Sequence, residues 1–282
     1  MCWSGQASAC LALFGYTGAF FEFRKMRKYQ QRWNDTNGLR GITIFYLSLM
    51  ETLQAVNYLV LNTPGFFNSL CALLGYLHVC FQPFFISFMY LSWLPKKRRM
   101  YWMKYAMFFS AISAIALLSR LSTSHSLPGC FSQHCTPVVS MESLLNLKTQ
   151  FGHTIGCAKT SFLSYRGDWH IAWQWVLNNC SYFVFTYYFT VFVFPCFYGV
   201  YLAVLASSLY GPVASIFLST NPDEFGAIWC LIAIGLVSSV KIPILDKFFT
   251  VTHESWKDTW EAMFLRLNKL HKSFYVDFNH GK

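Results

Sequence analysis

The stretch "LGYLHVCFQPFFISFMYLSWL", residues 74–94, decides the class of the chain. It is apolar enough to cross a bilayer, yet His78, Gln82 and Pro83 lie within two turns of each other in its middle. Around it, 55% of the 282 residues are hydrophobic, 20% aromatic and only 12% charged. A soluble domain carries about twice that charged fraction. Several apolar runs reach the ~20 residues that span a hydrocarbon core. The expected fold class is an all-α integral membrane protein, a bundle of about seven transmembrane helices. The net charge of +10 lies beside the apolar runs, as topology signals do, which argues against nucleic acid as a partner.

Seven spans are expected: Ala7–Phe23, Gly41–Leu61, Leu70–Leu94, Tyr101–Leu121, Trp175–Phe194, Tyr198–Leu218 and Phe225–Pro243. Between Ile171 and Ser219 no residue is charged, so the fifth and sixth boundary is open. Either "FPCFYG" (194–199) is a tight turn between two spans, or one kinked helix is followed by a re-entrant piece ending near "YGPVASIFL". Arg24, Lys25, Arg27, Lys28, Arg32 and Arg40 follow the first span, and Lys96–Arg99 the third, whereas "NTPGFFN" (62–68) has no basic residue. Positive-inside counting puts the N-terminus outside and the C-terminus in the cytoplasm, with the plasma membrane as the expected location. The first span has its charges behind it, unlike a signal peptide, and is expected to remain uncleaved. The domains expected are a bundle over 1–245, including an external loop 122–170, and a cytoplasmic tail over 246–282. In that tail Trp256, Trp260, Met263, Phe264, Leu267, Leu270 and Phe274 recur at helical spacing with basic residues between them. This describes an amphipathic interfacial helix on membrane lipid, or one packed on the bundle's own end.

Of ten cysteines, Cys71, Cys80, Cys196 and Cys230 fall in or beside spans and behave as small apolar residues. Cys130, Cys135 and Cys157 are the disulfide candidates, Cys157 pairing with Cys130 or Cys135 in an oxidising external loop. His125, His134 and His153 share that loop, but no closed zinc-ligand spacing appears, so neither a metal nor a cofactor is expected.

Ionisable groups in mid-membrane are costly and face the bundle interior or a cavity. Ser48, Glu51, Gln54 and Tyr58 follow at steps of three, three and four, and so share one helical face. Gly75, His78 and Gln82 do the same on the next span. A hairpin centred near residue 65 puts Glu51 level with His78, as a carboxylate–imidazole pair. Pro83 frees the carbonyl of Val79 and can kink the helix. Such a polar pocket suits a small ligand, proton or ion, and a purely structural Glu–His–Gln fastening competes at about 0.6 kcal/mol per bond. At the outer mouth, "YRGDWHIAWQW" (165–175) supplies Asp168 and His170 beside interfacial tryptophans. "STNPDEFGAIWC" (219–230) reads as a helix start, with Asn221 as cap, Pro222 in the first turn, and Asp223 and Glu224 complementing the dipole. A carboxylate pair guarding an entrance is the functional alternative.

The motifs "MCWS" (1–4), "METLQ" (50–54), "GYLHVCFQPFFI" (75–86), "GDWHIAW" (167–173) and "NPDEFGAIWC" (221–230) together resemble an uncharacterised family of multi-pass membrane proteins. It is classed as a domain of unknown function and occurs in bacteria and some microbial eukaryotes. The resemblance implies that Cys2, Trp3, Glu51, Gln54, His78, Gln82, His170 and Trp229 are signature positions. Residues 131–156 look like an insertion between the family's two loop cysteines. The family supplies no reaction.

Three functions compete on these residues. The first is a transporter, channel or sensor with a midplane site at Glu51 and His78. The second is an intramembrane enzyme in which His78 acts as general base, with Cys2 as a nucleophile. No G-x-S-x-G or HExxH motif supports the second. A rhodopsin-like receptor is the third, and it lacks a mid-helix lysine: Lys241 falls near the end of the seventh span.

Overall fold

A computed structural model describes residues 4–61, 63, 65–121, 162–175, 184–230 and 242–251. Helix α1, Gly5–Lys28, starts where the Ser4 side chain accepts the Ala7 N–H at 3.3 Å. Helices α2 (Thr36–Asn57), α3 (Phe66–Ser92) and α4 (Lys96–Leu118) follow on short connections and pack in sequence order. Short links between long helices make antiparallel neighbours. A two-stranded antiparallel hairpin comes next, β1 (Leu163–Arg166) and β2 (Ile171–Gln174), with Ser164 opposite Trp173 and Tyr165 opposite Ala172. Then come α5 (Phe185–Phe197), α6 (Tyr201–Leu218), a 3₁₀ turn Pro222–Glu224 running into helix 225–230, and a short α7, Pro243–Phe249.

The all-α expectation is corrected by the hairpin. Residues 163–174 are too few, and too interrupted by Gly167 and Asp168, to start a helix, and Ile171, Ala172 and Trp173 are all buried. The expectation of seven spans is met only in coarser form. Among the described residues α3, α4 and Tyr201–Leu218 are long and apolar enough to cross a membrane. Helix α1 is long enough at 24 residues, but Glu22, Arg24, Lys25, Arg27 and Lys28 lie inside it. Helix α2 carries Arg40 and Glu51, and α5 is a shorter apolar helix. The fifth and seventh expected spans run partly outside the described residues. So do Cys2, Trp3, the external loop with Cys130, Cys135 and Cys157, and the amphipathic tail helix. Among the described residues Cys10, Cys71, Cys80, Cys196 and Cys230 are free thiols, and nothing supports the expected disulfide.

Residues 185–218 form two helices joined by a turn at Tyr198 and Gly199, where Gly199 has φ 92°, a left-handed angle that glycine adopts without steric cost. Each of the two carries a π-helical turn, Phe189–Val193 in α5 and Leu209–Val213 in α6. The turns face a cleft that holds about one water molecule, lined by Tyr90, Val191, Ser207, Gly211 and Trp229.

One end of the bundle is tied together by arginines. Four basic residues at the start of α4 oppose that helix's own dipole. Arg99, 4% exposed, is stabilised by Asp35 at 3.1 Å and Thr36 at 2.7 Å. Arg98 donates at 3.1 Å to the carbonyl of Tyr198, at the negative end of α5. Arg40 of α2 makes a two-pronged pair with Asp246 of α7 at 2.6 and 3.1 Å, and its Nε donates to Ser92. Trp93 Nε1 also donates to Asp246, at 2.9 Å. The domain border expected at residue 245 therefore falls inside a helix whose next residue is clamped to the bundle.

Candidate functional site

The α2 face chosen from sequence is a buried polar column. Ser48, Glu51, Gln54 and Asn57 are all inaccessible to solvent or nearly so. Helix α1 closes over it, and it comes so near that a Cβ on Gly15 would sit 2.0 Å from Ser48 Oγ. Neither carboxylate oxygen of Glu51 makes a formed hydrogen bond. Ser8 of α1 is the polar group that approaches it, and Cys230 of helix 225–230 lies within its electrostatic reach. Gln54 donates through Nε2 to the carbonyl of Ala227 at 3.5 Å, and its Oε1 has no partner. Asn57 donates to Ser164 Oγ at 2.9 Å, and its Oδ1 is likewise bare.

The expected Glu51–His78 pair does not form. Glu51 meets Ser8 of α1 and not the imidazole, and the buried Nε2 of His78 has no partner. The ring of His78 stacks on Tyr46 instead, with centroids 3.9 Å apart, and the Tyr46 hydroxyl donates to the carbonyl of His78. Thr43 reaches the carbonyl of Phe85 at 2.9 Å. Tyr46 also stacks on Phe85 with centroids 3.6 Å apart, so it stands at a depth between His78 and Phe85, and Thr43 opposite Phe85 keeps the hairpin centre within about one residue of 65. Depth is therefore not what parts the pair: Tyr46 and Glu51 lie about 140° apart around α2, and the imidazole meets the Tyr46 side of that helix. The carbonyl that Tyr46 takes is that of His78, one residue before Val79, whose helical donor is the one Pro83 removes. Gln82 accepts from Tyr187 Oη at 2.8 Å and keeps a buried, unpartnered Nε2. With no carboxylate on His78, a general-base arrangement does not assemble there.

The β-hairpin folds down onto the ends of α2 and α3. Asn68 exchanges hydrogen bonds with the backbone of Ser164, its Nδ2 donating to the Ser164 carbonyl at 2.8 Å and its Oδ1 accepting the Ser164 N–H. Trp175 Nε1 donates to the carbonyl of Ala72 at 3.0 Å. Gly75 lets the Trp173 ring approach, since a Cβ there would lie 3.3 Å from it. Of the four outer residues, Asp168 alone is exposed. His170 is wholly buried, and its Nδ1 accepts the Ile171 N–H at 2.7 Å and faces Tyr58 Oη at 3.1 Å. Burial, and then the positive Arg166, push the His170 pKa down to about 3, so the ring is neutral. Glu224 is also wholly buried and accepts the Trp169 N–H at 3.3 Å. Asp223 accepts from Tyr165 Oη at 3.0 Å, and burial, then the negative Asp223, raise the Tyr165 pKa. Asn221 caps as expected, its Oδ1 accepting the Asp223 N–H at 3.0 Å. These carboxylates fasten the hairpin to the start of the helix at 225–230, which also carries Trp229 to the cleft between α5 and α6. Among the described residues no group of three or more His, Cys, Asp or Glu could hold a metal ion.

Asn57 and Ser8 escaped the sequence reading. Asn57 continues the step of three from Gln54 and could have been found by extending the pattern one turn, whereas Ser8 on α1 has no signal of its own.

The fold and its column define a helical protein with membrane-capable helices, a polar seam between α1, α2 and helix 225–230, and a docked hairpin over one end. The chain belongs to the family of unknown function DUF5765, whose model matches residues 6–250. No curated protein and no solved structure matches it.

Proposed function

We propose that the chain is a multi-pass protein of the plasma membrane, of about seven spans with the N-terminus outside and the C-terminus cytoplasmic. Its function is that of a transporter, channel or sensor, and it works through the polar site at Glu51, Gln54 and the neighbouring Asn57. Membrane lipid surrounds the bundle, and residues beyond 251 supply a cytoplasmic amphipathic helix. What supports the orientation is that the basic runs Arg24–Lys28 and Lys96–Arg99 fall on segments at the same end of the helices. The observation that carries the function is Glu51: a wholly buried carboxylate with no formed hydrogen bond on either oxygen. Such a group is too costly to serve as a fastener, because a fastener would be partnered. Reconstituting the full chain in liposomes and following Na⁺, K⁺ and proton flux tests the reading. Glu51→Gln reduces flux at least about tenfold if Glu51 is the site, the scale of losing one charge-assisted contact. Equal flux in both proteins sinks the reading.

A further inference from the structure

The side-chain atoms left bare on the α2 face of the seam are all of one kind. Glu51 Oε1, Glu51 Oε2, Gln54 Oε1 and Asn57 Oδ1 are buried oxygens, acceptors only, on one face of α2 at steps of three. The Gln54 amide cannot be turned to change this, because its other end faces the carbonyl of Ala227, which accepts and never donates. A proton on Glu51 can be donated to one neighbouring oxygen, such as the Gln54 amide oxygen, and leaves the second carboxyl oxygen and Asn57 Oδ1 bare. A bare cation satisfies several oxygens at once, and hard oxygen ligands without imidazole are the set that alkali and alkaline-earth ions take. Charge selects between those two groups. Glu51 supplies a single negative charge: Glu22, on the same buried face of α1 as Ser8 and Gly15, is compensated by Lys25 at 3.3 Å, and among the described residues no group of three or more His, Cys, Asp or Glu could hold a metal ion. A divalent ion would leave an uncompensated positive charge in a buried site, whereas a monovalent ion leaves none.

We propose that the seam between α1, α2 and helix 225–230 binds a dehydrated monovalent cation, held by the Glu51 carboxylate and the amide oxygen of Gln54. This rests on the reading of Glu51 as the functional site and names what that site takes. Ser8 supplies a further hydroxyl from α1, so that the ion bridges two helices. Binding therefore couples cation occupancy to the closeness of α1 and α2, which Gly15 and Ser48 set.

The test uses the purified full chain in lipid nanodiscs, with ²²Na⁺ as the probe and Li⁺, K⁺, choline and Ca²⁺ as competitors. Saturable ²²Na⁺ binding is expected, displaced by alkali ions and not by choline or by equimolar Ca²⁺. Gln54→Leu weakens it about tenfold, the scale of one oxygen contact to a charge. Glu51→Gln abolishes it, with circular dichroism and size-exclusion profiles of both variants matching those of the parent. Absence of saturable binding by the parent protein, or binding unchanged in Glu51→Gln, overturns the proposal. If the parent binds no cation while Glu51→Gln still alters proton flux in liposomes, the cation inference falls and Glu51 stands as a proton site. If neither binding nor flux responds to Glu51→Gln, both readings fall.

Discussion

Replacing Asp246 by Ala tests the lock at the basic end of the bundle. Asp246 accepts two charge-assisted hydrogen bonds from Arg40, at 2.6 and 3.1 Å, and one from Trp93 at 2.9 Å. The Arg40 side chain is 9% exposed and that of Asp246 29%. Removing one partner of a fully buried ion pair costs roughly 3–5 kcal/mol, because the survivor stays charged and buried. Water can reach the Asp246 side, and Arg40 keeps its bond to Ser92 at 3.2 Å, so about 2–3 kcal/mol is expected. Asp246→Asn retains an acceptor for both donors and loses less, about 1–2 kcal/mol. Arg40→Met combined with Asp246→Leu removes both charges, and its cost falls below the sum of the single changes by about 2 kcal/mol. Denaturant unfolding in detergent reads this directly if buried Cys71 and Cys80 are followed with a thiol-reactive dye, since both are protected in the folded chain. An Asp246→Ala cost below about 0.5 kcal/mol, the range of an ordinary surface substitution, or a simply additive double variant would show that no such lock exists.

Three further outcomes are expected. His170 is neutral when folded, with its pKa pushed down to about 3 from 6.5, so the unfolded chain binds the extra proton as the pH falls. Its stabilisation is complete above about pH 6.5 and declines below it by about 1.4 kcal/mol per unit, or about 2 kcal/mol at pH 5. His170→Asn keeps an acceptor where Nδ1 stands, and the stability difference between parent and variant should shrink by that amount between pH 7 and pH 5. Gly15→Ala pushes a methyl to 2.0 Å from Ser48 Oγ and 3.1 Å from its Cβ, costing about 1–3 kcal/mol by overpacking, and adding Ser48→Ala restores most of the loss in thermal melts. Tyr187→Phe strips Gln82 of its donor at 2.8 Å and costs about 1–2 kcal/mol, measurable in the same dye assay.

Sequence periodicity reached the column on α2 because a helix fixes which residues share a face, whatever packs against it. Capping chemistry likewise located Asn221, and of the two readings left open for 171–219 the fold takes the turn, at Tyr198 and Gly199. Relations between elements were harder to read. The hairpin gave Glu51 and His78 nearly the right common depth, but which face of α2 meets α3 was not legible, and the imidazole went to Tyr46. The hairpin escaped because Ile171–Trp173 is buried on both faces and shows no alternation, leaving an aromatic run that reads as an interfacial anchor. Basic residues counted alike as topology signals split in the fold. Arg40, Arg98 and Arg99 are buried and paired or bonded, while Lys96 stays 74% exposed at its side chain even as it approaches Asp35 at 3.7 Å. Burial and the opposing pull of Arg32, Lys96 and Arg99 leave the Asp35 carboxyl below its usual range, so this knot persists in mild acid.

The wide turns at Phe189–Val193 and Leu209–Val213 make the two helices unusual rulers. Each holds one residue more than an α-turn, and the wider ring absorbs it, so the helix on either side keeps its phase. Losing that residue would tighten the turn to α geometry, whereas losing one from an ordinary turn of the same helix would swing everything beyond it by about 100°. Val191 and Gly211 stand inside the two wide turns and line the cleft, and Trp229 rests against Gly211 so closely that a Cβ would come within 2.6 Å. A one-residue gap between homologues at either turn would therefore alter the lining of the cleft while leaving the rest of the helix in place.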